Sequence, residues 1–232
     1  MADIIHYDVR LRFARREPAI WLAHLDMMRT FERSIRRAGL PVHWSQGFNP
    51  RPQMTFALPI GVGLATEDDY VDIQLIEPVD PQLVMDRLNP CLPMGFEILA
   101  AGPVESSKVS LMSLVQAADY RLQSPGLAAA WRRIPVTQPL IVDKFSKGRT
   151  LEVDIRPLIL DLQVHSDEEL VIRVKAGSSA NLRPDLFLLA LKVYGELPDL
   201  AAADCAVTRL GLLIESKTDP SGYQSPLVIP QA

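Results

Sequence analysis

The sequence predicts an α+β protein made of two ferredoxin-like units in tandem, each an antiparallel sheet with its helices on one face. Three observations predict it. The 232-residue chain has room for two compact units of roughly 100 residues each. Its first hundred residues read β-α-β-β-α-β by periodicity, and the second hundred repeat that order with an inserted hairpin. The small and polar residues from Gly102 to Ser113 supply a boundary. The units are thus placed at residues 1–103 and 114–216, followed by a flexible tail, 217–232, rich in Pro and Ser.

The first strand is read from Tyr7 to Phe13, where Tyr7, Val9, Leu11 and Phe13 alternate with Asp8, Arg10 and Arg12. After the Glu17-Pro18 turn a helix runs from about Ala23 to Ala38, stopped by Gly39, whose tolerance of positive φ suits the position past a helix end. Projected as a helix, Met27, Met28, Phe31, Ile35 and Ala38 share one face, and Asp26, Arg29, Arg33, Arg36 and Arg37 the other. Pro41–Gln46 is read as a short strand, Met54–Leu58 as a candidate extra strand, and Tyr70–Leu75 as a clearly alternating one. Asp80 and Pro81 open a second helix that reaches Leu88, and Phe96–Ala100 closes the first unit as a strand.

In the second unit a strand is expected at Asp119–Gln123 and a short helix at Leu127–Arg133. Extended segments follow at Pro139–Phe145, Thr150–Ile155, Asp161–His165 and Leu170–Lys175. A helix from Pro184 to Tyr194, with Asn181 as a candidate cap, is apolar almost all round and therefore buried; Val207–Ile214 is the last strand.

Charge is unevenly distributed. The net charge is −4, yet residues 1–52 carry nine arginines against five acids, so that segment is +4 and the other 180 residues total −8. Such polarisation points to a local anionic partner. Arg29, Arg33, Arg36 and Arg37 project over about 12 Å of helix, the scale of two phosphates on a nucleic-acid strand. A solvated face with Glu32–Arg36 pairing is the alternative. Directly after comes Gly-Phe-Asn-Pro-Arg-Pro, residues 47–52, in which Pro50 and Pro52 hold Asn49 and Arg51 extended. Following Gln46, this stiff loop offers Phe48 for stacking, Asn49 for amide hydrogen bonds and Arg51 for phosphate, the inventory used on unpaired RNA bases. Alternatively Phe48 plugs the core of a structural turn. Lys144, Lys147, Arg149 and Arg156 form a second basic group around a Lys-Gly-Arg-Thr turn, for phosphate or simply for solvent.

His24 is the one catalytic candidate, as acid or base on a ribose hydroxyl, against packing or capping as the plain alternative. Two cysteines, Cys91 and Cys205, far apart in sequence, make neither a disulfide framework nor a metal pair, and no metal or cofactor is expected. Phosphate-binding, dinucleotide, zinc-protease, hydrolase and kinase signatures are absent from the sequence. No apolar run approaches the ~20 residues that span a bilayer, and the start of the chain lacks signal-peptide features, so a cytoplasmic, non-membrane protein is expected.

Residues Tyr7–Arg15, Ala23–Gly63, Asp68–Leu75, Ser110–Leu122 and Lys147–Ile159 together resemble the radical-SAM-linked proteins, a bacterial domain family. That resemblance implies an accessory role in RNA modification or processing beside a cobalamin-binding radical SAM enzyme. This chain lacks the three-cysteine iron–sulfur motif of such an enzyme. Ala23 stands where the family often has Ser before His-Leu-Asp. At fold level alone, the tandem reading also resembles the RAMP-type CRISPR RNA-binding proteins. The leading expectation is therefore a non-catalytic RNA-binding adaptor. An RNA-processing enzyme using His24 and a protein-docking module are the competing readings.

Overall fold

In the computed structural model, which describes residues 7–104, 109–146 and 148–227, the opening alternation becomes β1 (Tyr7–Arg15). Val9, Leu11 and Phe13 are buried on its inner face. They are covered by α1 (His24–Ala38), which turns Met27, Phe31 and Ile35 onto them and ends at Gly39 with φ 62°. A short β2 (Met54–Phe56) leads to the long β3 (Leu64–Leu75). Then comes α2 (Pro81–Leu88), capped by the Asp80 carboxylate accepting from Gln82 N–H at 3.0 Å, and β4 (Phe96–Val104).

The second half begins with α3 (Leu111–Leu114), β5 (Val115–Gln123) and α4 (Leu127–Arg133). A separate hairpin, β6 (Ile141–Ser146) with β7 (Arg149–Asp154), precedes β8 (Ile159–Val164) and β9 (Glu169–Lys175). The chain then passes through α5 (Pro184–Tyr194) to β10 (Ala206–Glu215) and β11 (Tyr223–Gln224).

The result is a mixed α+β molecule dominated by one nine-stranded, mostly antiparallel sheet. Its order is β4-β1-β3-β10-β5-β9-β8, with β2 on β3 and β11 on β10. The two halves meet at the parallel pairing of β10 with β3, where Val207, Thr208 and Arg209 oppose Leu64, Ala65 and Thr66. The buried apolar residues form two clusters. One is built on four phenylalanines under α1 and α2, the other on Leu122, Leu170, Ile172 and Phe187 under α4 and α5, and this second cluster also takes in Ala57, Leu58, Tyr70 and Ala100 from the first half. The opposite sheet face is polar and carries bidentate ion pairs from Arg10 to Asp72 and from Arg173 to Asp119.

Several expectations are corrected. Pro41–Gln46 is not a strand: it makes isolated bridges at Val42–Leu75 and Trp44–Pro52, because Pro41 and Pro52 have no N–H to extend a ladder. The strand that pairs with β3 is Met54–Phe56 instead. Asn181 does not cap α5, whose N-cap is Arg183 without a side-chain capping bond. Of residues 217–232, expected as a flexible tail, 217–227 include β11, and the Pro226 carbonyl accepts from Arg10 Nη1 at 2.7 Å, while 228–232 lie outside the described residues. No helix among the described residues is long and apolar enough to cross a membrane.

Candidate nucleic-acid interface

Phe31 fixes the rotation of α1. Its ring stands edge-on to Phe13, Phe56 and Phe96, with centroids 5.2, 5.2 and 5.6 Å away. With that face buried, Arg29, Arg33, Arg36 and Arg37 are all exposed. They are not equivalent. Arg29 pairs with Asp26 at 3.0 Å. Arg36 lies 4.2 Å above the Trp44 ring, 3.6 Å from Glu32, and donates to the Pro50 carbonyl at 3.4 Å. Arg37 donates to the Cys91 carbonyl at 2.6 Å and to Ser34 Oγ at 3.2 Å, tying α1 to the turn after α2. Arg33 has no side-chain partner among the described residues. The surface pairs at Arg29 and Arg36 are each worth about 0–1 kcal/mol, so an arriving phosphate can replace them.

The 45–52 loop is tied at its neck. Ser45 N–H donates to the Arg51 carbonyl at 2.8 Å, and Arg51 N–H donates to Ser45 Oγ at 3.0 Å. Gly47 has φ 128°, a conformation that a side chain would strain. At the tip Phe48 is fully exposed, at 112% relative accessibility, so it does not plug the core. Gln46, Asn49 and Arg51 surround it, all exposed. The Arg36 contact to Pro50 brings loop and helix into one surface.

The other predicted residues lie elsewhere or serve other ends. His24 is the first residue of α1, its ring 5.5 Å from Phe56 and its Nδ1 buried without a hydrogen-bond partner. Burial, then the Arg15 and Arg209 charges, hold its pKa below the ordinary histidine value. Arg156 donates to the Gln138 and Pro135 carbonyls at 2.9 and 2.8 Å and lies over Trp131, so it braces the second half. Lys144 is half-buried on β6, and Lys147 lies outside the described residues. Among the described residues no three His, Cys, Asp or Glu side chains are grouped to hold a metal ion. Burial raises the Cys205 thiol to about 11, far from a nucleophile's range.

Three features escaped the sequence reading. Trp44, the platform beneath Arg36, had no periodic signal. Trp21, exposed at 63%, stands just before α1. Beneath that end lie Arg15 and Arg209, both buried. Arg209 meets Asp69 at 2.7 Å and Tyr120 Oη at 3.2 Å. Burial works against the Arg209 charge, but Tyr120 and Asp69 outweigh it and raise its pKa above the usual value. Burial lowers Arg15 to about 10, with Asp69 opposing and Arg209 adding to the shift, so it remains a cation at neutral pH.

A family model described as an uncharacterized protein conserved in bacteria (DUF2344) matches residues 8–184, a span that includes α1, the 45–52 loop and α4. Among curated proteins none matches the chain.

Proposed function

The chain belongs to the bacterial family DUF2344, described as uncharacterized proteins, so its function has to be read from its surface: we propose that α1 and the 45–52 loop bind RNA. The observation that carries this reading is Phe48. A large ring held wholly in solvent, on a loop tied at its neck, contributes nothing to the core. Beside Asn49, Arg51, Arg33 and the Arg36–Trp44 stack, it has the make-up of a stacking platform next to phosphate-seeking cations. Binding and orientation are what this surface can do. His24 is packed against Phe56, which favours binding over catalysis.

Two finer readings rest on it. The strand orders β4-β1-β3-β2 and β10-β5-β9-β8 place strands of each half in the same fourth-first-third-second sequence, with a helix after the first and third. That repetition supports two ferredoxin-like units sharing one sheet. The resemblance to radical-SAM-linked proteins, together with a chain of only two cysteines, supports an accessory role in which RNA is presented to a separate cobalamin-binding radical SAM enzyme.

The test is binding of single-stranded ribosomal RNA fragments and tRNA by fluorescence anisotropy. Phe48→Ala is expected to weaken binding by about 1–3 kcal/mol, or about 5- to 150-fold, while Phe48→Tyr retains it. Equal affinity for the wild type and Phe48→Ala would remove the loop from the reading. Co-purification of an acidic protein that survives nuclease treatment, with no RNA bound, would favour protein docking instead.

A further inference from the structure

The two halves line a half-open cavity of about 500 Å³ beside the parallel β3–β10 seam, a size common for small-ligand sites and a common location for them. One wall is the apolar loop Leu58–Val62. Two buried guanidiniums hold that loop by its carbonyls. Arg209 donates to Pro59 at 3.1 Å and to Leu58 at 3.5 Å, while Arg15 donates to Leu64 at 2.7 Å and also to Gly61. Folding alone does not call for such a network, since apolar replacements of buried ion pairs are often neutral or stabilising. Here it fixes the shape of a cavity wall, so the space is preorganised.

The chemistry of the lining points to a ligand. Tyr120, 2% exposed, accepts from Arg209 Nε, which leaves its own hydroxyl proton without a protein partner among the described residues. At the mouth stand Asn181, Arg183 and Asp185, all exposed. Arg183 and Asp185 face each other in a two-point pair, at 3.1 and 2.8 Å. The lining therefore offers an apolar wall for a flat ring, a buried donor and an amide for a polar edge, and a cation for an anionic group. Asp185 competes with that anionic group for Arg183.

We propose that this cavity binds a nucleotide, either free or as one unit of an RNA strand, with Tyr120 and Asn181 bonding the base and Arg183 meeting the phosphate. In its strand form the inference rests on the RNA reading above; in its free form it stands without it.

Isothermal titration of the full chain with the four 5′-mononucleotides, and anisotropy with a single-stranded octaribonucleotide, test it. Three surface variants that leave both cores intact are compared. Arg183→Ala and the charge-neutral Asn181→Ala each weaken binding tenfold or more, whereas Asp185→Ala tightens it several-fold. If the mononucleotides show this pattern, the ligand is a free nucleotide; if only the octamer shows it, the ligand is a unit of a strand. If neither shows it, the inference is overturned. An octamer that responds to Phe48→Ala but not to these three variants removes the cavity and leaves the surface reading standing. Mononucleotide binding without octamer binding does the reverse.

Discussion

Arg36 illustrates how a single residue divides between fold and function. Its guanidinium stacks on Trp44, bonds the loop through Pro50 and pairs with Glu32, so it organises the surface before any ligand arrives. Arg33, with no side-chain partner among the described residues, can turn to meet a phosphate. His24 carries a different consequence. Its depressed pKa means that the unfolded chain takes up a proton more readily than the folded one. Stability is therefore full above the unfolded value of about 6.5 and falls as pH drops from there toward the folded value. His24→Leu is expected to lose part of the wild-type destabilisation between pH 7 and pH 5, measured by urea unfolding at each pH. Asp69 is the stability-critical charge: Asp69→Ala leaves Arg209 and Arg15 uncompensated and should cost about 3–5 kcal/mol at pH 7. The arginine face of α1 was legible at this scale because helical period alone separates it from Met27, Phe31 and Ile35. The burial of Arg15 and Arg209 was not, since arginine is ordinarily a surface residue. The Arg15 guanidinium is held by the nearby carbonyls of Ile20 and Leu22 and by those of Gly61 and Leu64, 46 and 49 positions along the chain.

At the scale of elements, local chemistry had most of the information. Gly39 ends α1, Asp80 and Pro81 open α2, and the ranges of α4 and α5 follow their apolar patterns to the residue. Pro41–Gln46 departs from the expected strand because Pro41 and Pro52 lack the N–H groups that would extend a ladder, so the residues pair only at single points. Pro52, together with Pro50, also makes the 45–52 loop stiff. Ser45 is its clasp, and Ser45→Ala removes the acceptor for Arg51 N–H while sparing the backbone bond. A loss of about 0.5–1.5 kcal/mol of stability or less is expected. It should be accompanied by weaker RNA binding although no ligand-facing group has changed, which separates preorganisation of the loop from direct recognition by it.

For the whole molecule, the decisive arrangement is a single sheet continuous through both halves. Sequence periodicity could show two similar runs of elements but not the parallel β3–β10 seam between them, because that pairing joins residues more than 140 positions apart. The seam brings the Leu58–Val62 loop against Arg183 and creates the cavity between the halves. The arginine helix and its loop, by contrast, lie wholly within the first half, which is why they could be read from a contiguous stretch. A chain with net charge −4 that binds an anion must do so through such a local surface. The most direct measurement is therefore the salt dependence of single-stranded RNA affinity for the wild type and for Arg33→Glu/Arg51→Glu. Wild-type affinity should fall linearly in log K against log salt, with the double variant weaker on every sequence and its slope flatter by about 1.4, about 0.7 for each phosphate no longer neutralised. An affinity that does not vary with salt, or a slope that the double variant leaves unchanged, would contradict an RNA-binding role for this surface.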